Sequence, residues 1–132
     1  MHKVQNAAAR VVLKLREHES IRHELVNLHW LRINERILFK LLVFVFKCLN
    51  DMAPVELISM LTINSAENCT LRYIFLDSVH GCRSFQYAAP RLWNALPISM
   101  RKLSSLDTFK SKLKYLLFNH SQDFMSSVNR YI

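Results

Sequence analysis

One glycine in 132 residues is the tightest constraint on this chain. Glycine is the default residue wherever the backbone needs a positive φ, so tight hairpin turns and phosphate-cradling loops use it heavily. A chain with Gly81 alone is a poor candidate for a many-stranded sandwich or barrel, and it has no Gly-rich nucleotide loop. Helices place no such demand on their interiors. With 51% hydrophobic and 21% charged residues the chain is not disordered in composition, and its length suits one domain. The expectation is a mainly α fold: a small helical bundle with a short irregular strand pair around residues 70–87.

Periodicity supports this. Val4, Ala8, Val11, Val12 and Leu15 recur at helical spacing and predict an amphipathic helix over residues 3–17 with that face inward. Ser20 can cap a second helix, with Ile21, Leu25 and Leu28 inward and an end near Trp30. Residues 31–50 read as a third helix. Arg32, Arg36, Lys40 and Lys47 fall within about 80° of one another at 100° per residue, and nearly everything else from Ile37 to Leu49 is apolar. Such a helix belongs in the middle of a bundle, with its basic stripe in water. Pro54 suits the start of a short helix reaching Leu61. Thr70 to Leu76 and Val79 to Tyr87 have strand character, while Pro90 and Pro97 bracket what reads as a compact turn segment. The last helix begins at Ser104 or Ser105, with Leu106, Phe109, Leu113, Leu116 and Leu117 on one face. Residues 1–118 are expected to form a single helical domain and 119–132 a frayed tail.

The net charge is +8 and it is segregated. Residues 1–50 have nine Lys and Arg against four Asp and Glu, residues 91–132 have seven against two, and the middle is slightly acidic. A basic surplus fits nucleic acid or an anionic surface, without specifying fold. Lys3, Arg10 and Lys14 form one stripe; Arg32, Arg36, Lys40 and Lys47 a second; Lys110, Lys112 and Lys114 line the last helix. These ten residues are the candidate phosphate contacts. The same residues would also serve as the solvated outer face of a bundle. Tyr73, Phe75, Phe85 and Tyr87 offer stacking surfaces for single strands, though residues of this kind more often fill a small core.

No catalytic site emerges. Asp51, Asp77, Asp107 and Asp123 are isolated, so no carboxylate pair is placed to hold divalent ions. His18, His23 and His29 lack the i, i+4 spacing of a helical zinc site, and Cys48, Cys69 and Cys82 form no CxxC. Neither a metal nor a cofactor is expected, nor a small-molecule substrate. The longest apolar run, Leu41 to Phe46, is fenced by Lys40 and Lys47, so no membrane span and no membrane partner are expected. Without a signal-peptide pattern, the expected location is intracellular, nuclear or cytoplasmic.

Several blocks in order carry a resemblance. Gln5-Asn6-Ala7-Ala8-Ala9-Arg10 is followed by Leu28-His29-Trp30-Leu31, then Arg36-Ile37 and Phe39-Lys40. Next come Ala88-Ala89-Pro90-Arg91-Leu92-Trp93-Asn94-Ala95-Leu96-Pro97 and Phe109-Lys110-Ser111-Lys112-Leu113-Lys114. Over about residues 3–118 the chain resembles the C-terminal region of non-LTR (LINE-type, Jockey-like) retrotransposon reverse transcriptases. It departs from that pattern between Arg72 and Gly81, which is shorter, and at Cys82, where an Asp is common. The resemblance implies a parent RNA-directed DNA polymerase of a transposable element whose catalytic aspartates lie in a Tyr-x-Asp-Asp motif absent here. The chain itself is then expected to be no enzyme but a non-catalytic fragment binding RNA or DNA backbone, beside an upstream polymerase region. The alternative is a helical protein-interaction module, or a decayed fragment with no activity of its own. Trp30, Pro90, Arg91, Trp93, Asn94 and Pro97 are the signature residues, expected to act by packing: Trp93 as an apolar plug against Trp30 and Phe39, Asn94 bonding local backbone.

Overall fold

The computed structural model describes residues 2–16, 20–74 and 84–119. It is mostly helical with one two-stranded antiparallel sheet, as the single glycine and the helical periodicity led us to expect. In chain order the elements are α1 (His2–Leu13), α2 (Ile21–Asn27), α3 (Ile33–Leu49), α4 (Val55–Ser59), β1 (Ile63–Ser65), β2 (Thr70–Leu71), α5 (Phe85–Asn94), α6 (Ile98–Arg101) and α7 (Leu106–Asn119).

The scarcity of glycine reappears at the helix ends. A helix commonly closes with a residue in the left-handed region followed by a bond from the next N–H back to the carbonyl five residues earlier. Here Lys14, His29 and Asp51 hold that position, with φ of 53°, 53° and 56°. The bonds that follow them are Leu15 N–H to Arg10 C=O at 3.1 Å, Trp30 N–H to Leu25 C=O at 2.8 Å and Met52 N–H to Lys47 C=O at 2.8 Å. Three side chains therefore occupy a backbone conformation that glycine adopts without a Cβ clash. Lys14 also ends α1 four residues before the expected boundary.

Helices α3, α5 and α7 form the core. Phe46 stacks on Phe109 with ring centroids 4.5 Å apart, and Trp93 lies against the same Phe109 at 5.7 Å. Leu38, Leu42 and Val45 from α3, Leu92 from α5, and Leu113 and Leu117 from α7 are fully buried around them. The expected inward face of α7 is therefore the one that packs. Phe46 meets Phe109 near one end, while His29 meets Phe118 at the other, so α3 and α7 run antiparallel.

The strand pair lies earlier than its expected span. β2 falls inside residues 70–87, but its partner is β1, with Ile63 opposite Leu71 and Ser65 opposite Thr70. Phe85 and Tyr87 are helical, and residues 75–83 lie outside those described. Likewise Pro90 sits inside α5 rather than at a turn. Its missing N–H forfeits one helical bond, to the carbonyl of exposed Gln86, where water can take its place. Pro97 does mark a boundary, as the cap of α6. Asn119, expected in the tail, belongs to α7; residues 120–132 lie outside those described.

The face of α1 is a correction. Val4, Val11 and Val12 are 73%, 79% and 59% exposed, whereas Ala9 is buried. α1 packs against α2, and its valine face points outward.

Candidate nucleic-acid interface

The signature block around Trp93 is a clamp on the hairpin. Arg72 N–H donates to Thr62 C=O at 2.8 Å, which places Ile63 and Leu71 in a non-hydrogen-bonded pair. Leu71 therefore turns its own N–H and C=O away from β1. Asn94 meets both: its Oδ1 accepts from Leu71 N–H at 2.9 Å and its Nδ2 donates to Leu71 C=O at 2.8 Å. One side-chain amide thus takes the place of a third strand. Beside it, Trp93 Nε1 donates to Cys69 C=O at 2.8 Å, and Arg101 donates to Asn68 C=O at 2.8 Å and to Leu96 C=O at 3.1 Å. Arg91 lies 3.5 Å from the Tyr87 ring centroid and 5.4 Å from that of Tyr73, and it donates to the carbonyls of Tyr87 and Ile74. Two expectations change accordingly. Trp93 docks on Phe109 and the hairpin instead of on Trp30 and Phe39, and Asn94 bonds backbone 23 residues away. Both follow from β2 arriving where a helix–helix contact was foreseen. Of the aromatic candidates, Tyr73 is about half exposed, Tyr87 is engaged with Arg91, Phe85 packs on the core and Phe75 lies outside the described residues.

The candidate phosphate contacts disperse over the surface, with one exception. Lys3 on α1 and Lys14 just past its end are exposed, while Arg10 is half-buried with an Nε that has no partner among the described residues. Arg32 is exposed just before α3, where its N–H donates to the buried Glu35 carboxylate at 2.9 Å. Lys47 is half-buried toward the far end of α3. Lys110 pairs with Asp107 at 3.7 Å, and Lys112 borders a separate shallow cleft with Tyr115.

Arg36, Lys40 and Lys114 converge. Arg36 and Lys40 stand one turn apart on α3, and the antiparallel packing brings Lys114 of α7 alongside. With His29, Trp30 and Phe39 they line a groove of about 240 Å³. All three cations are exposed, and among the described residues none has a carboxylate within 4 Å. Lys114 Nζ lies 5.9 Å from the Phe118 ring centroid, and the His29 ring meets the edge of Phe118 at 6.5 Å. The left-handed backbone of His29 sets the chain's exit from α2 and leaves Trp30 39% exposed at the rim. Trp30 and Arg36 also wall an adjoining cleft of about 480 Å³, completed by Val4, Gln5, Ala8 and Ile33.

Spacing along α3 made the Arg36–Lys40 pairing legible. Lys114 joins them only through tertiary packing, and the sequence alone places Trp30 among the packing residues. Another cavity, of about 360 Å³, lies beneath the hairpin beside Cys69 and Trp93. Its Arg101 is committed to the carbonyls of Leu96 and Asn68, so that cavity is a poor anion site. Among the described residues no group of three His, Cys, Asp or Glu is placed to hold a metal ion, and no helix is long and apolar enough to cross a membrane. Comparison of the chain with protein-family models, with curated proteins and with solved structures returns no match.

Proposed function

We propose that this chain is a non-catalytic C-terminal segment of a retrotransposon-derived RNA-directed DNA polymerase, and that it binds the phosphate backbone of RNA or DNA. The observation that carries the binding reading is the convergence of Arg36, Lys40 and Lys114 from two helices onto one groove, with no acidic partner among the described residues. Three uncompensated cations at one place repel each other in the free protein, and a polyanion relieves that repulsion. The link to a polymerase rests on the sequence blocks alone. In this reading the chain works inside the cell, in nucleus or cytoplasm, next to a polymerase region that supplies the chemistry.

The test is a salt titration of binding to short RNA and DNA. Three neutralised phosphates give a slope of log affinity against log salt of about −2 for a single strand and about −2.7 for a duplex. Arg36→Glu and Lys40→Glu should each weaken binding and flatten the slope, by roughly one unit per contact removed. A folded chain that ignores both RNA and DNA at low salt refutes the reading.

A second reading, a helical protein-interaction module, is favoured by the outward valine face of α1. It predicts that Val11→Lys and Val12→Lys leave the fold intact while abolishing association with the upstream polymerase region.

A further inference from the structure

We infer that the groove takes unpaired nucleotides, with a base stacked on Trp30 and the neighbouring phosphates on Arg36, Lys40 and Lys114, so that single strands are preferred over duplex. This rests on the phosphate-binding reading above and narrows it.

The first argument is the contrast between the two tryptophans. Trp93 is 1% exposed and satisfies its indole N–H on a carbonyl, whereas Trp30 is 39% exposed at a rim surrounded by cations. An aromatic ring among unpaired cations is the usual construction of a single-strand platform: every base has a π-face, and the flanking phosphates are met by charge. The second argument is size. A groove of about 240 Å³ accommodates a flat ring rather than an α-helix or a ribbon, and it is a concavity, which the convex surface of a duplex cannot enter. A splayed-out base can.

The third argument concerns hydrogen-bonding chemistry. Trp30 and Arg36 are shared by both clefts, so a strand can cross from one to the other over the indole. In the adjoining cleft, Gln5 donates through Nε2 to Leu31 C=O at 2.8 Å, leaving its Oε1 as a buried acceptor without a partner. Phosphate is only an acceptor and cannot answer it. The ring N–H of thymine, uracil or guanine can, and in a duplex that group is occupied in pairing.

The experiment measures affinity for oligo(dT), oligo(U) and a hairpin duplex with the same number of phosphates, using the wild-type chain, Trp30→Ala and Trp30→Phe. Intrinsic fluorescence is recorded in parallel. We expect both single strands to bind at least about tenfold more tightly than the duplex. Trp30→Ala should lose about 5- to 150-fold on the single strands, the range for one stacked base, with little change on the duplex. Trp30→Phe should recover most of that loss, and the salt slope should be unchanged because the cations remain. Single strands should quench the emission of the exposed Trp30, which supports stacking even where Trp30→Ala does not fold. Equal affinity for single strands and duplex, with no quenching, overturns the inference and leaves phosphate binding standing. Failure to bind any of the three probes at low salt overturns both.

Discussion

Replacing Asn94 with Ala tests whether one amide stands in for a strand. The substitution removes an acceptor 2.9 Å from Leu71 N–H and a donor 2.8 Å from Leu71 C=O. Leu71 is 1% exposed, and its backbone polar groups face away from β1, so water and the sheet are both poor substitutes. A buried polar group left without its partner costs about 1–3 kcal/mol. Two such groups, partly relaxed by the space that Ala opens, give an expected loss of about 2–5 kcal/mol. Against a typical total of about 5–15 kcal/mol, that is a large fraction of the stability. Urea denaturation should show the midpoint falling at unchanged slope, with a thermal midpoint lower by at least about 6 °C. Amide exchange gives the residue-level readout: the Leu71 N–H should lose protection before those of α3 and α7. Asn94→Asp retains the acceptor but turns a carboxylate oxygen toward Leu71 C=O, so it should not rescue. A change within 0.5 kcal/mol of wild type for Asn94→Ala, or unaltered Leu71 exchange, refutes the argument.

The helix ends and the thiols give two further predictions. Lys14→Gly removes a Cβ from a left-handed position and should stabilise by about 0.5–1 kcal/mol, the strain relieved less the extra freedom of the unfolded chain. Lys14→Ala keeps the Cβ and should not, and equal midpoints for the two variants in urea would sink the explanation. Cys48 is buried, which pushes its thiol up from the ordinary value, whereas Cys69 is half-exposed. Maleimide followed by peptide mapping should label Cys69 in the folded protein and Cys48 only on unfolding. Because the folded-state value lies above the unfolded one, Cys48 contributes stability that is fully present below about pH 8.5 and is lost as pH rises. The stability difference between wild type and Cys48→Ala should therefore shrink between pH 8 and 10, and a difference that stays constant would contradict burial as the cause.

Helix positions were legible in this sequence because they depend on local periodicity. The buried face of α7 and the apolar bulk of α3 follow from residues three and four apart. What periodicity cannot supply is the identity of the partner. Val4, Val11 and Val12 share a face as regularly as Phe109, Leu113 and Leu117 do, yet one set is exposed and the other is core. The difference is that α7 turns that face to α3, whereas α1 meets α2 with its valines outward. Pro90 misled for a related reason: proline's local preference is for boundaries, but here it is buried in α5 with Ala88 and Ala89, and the packing of that face outweighs one lost helical bond. Asn94 is more instructive still. Its short side chain suggested a local turn, and only the arrival of β2, with its unpaired edge, gave it a distant partner.

In the proposed reading the two tryptophans divide fold from binding, which makes the two separable. The long Ala-Ala-Pro-Arg-Leu-Trp-Asn block, the most specific part of the sequence, is spent on holding the hairpin against α5, with its indole N–H and amide both committed to backbone. A nucleic-acid ligand has nothing to gain there. The groove residues show the reverse: Trp30, Arg36, Lys40 and Lys114 are exposed, and the core clusters on Phe46, Trp93 and Phe109 without them. Substitutions at Asn94 should therefore change how much of the chain is folded while leaving the affinity of the folded fraction intact. Substitutions at Arg36 and Lys40 should change affinity and leave the denaturation midpoint nearly unmoved, or slightly raised as like charges are removed from one groove. Sites that share no partner contribute additively, so an Asn94–Arg36 double variant should show the sum of the two effects in each assay. A coupling between them would mean that the clamp also sets the spacing of α3 and α7, and with it the reach of Lys114 to the strand.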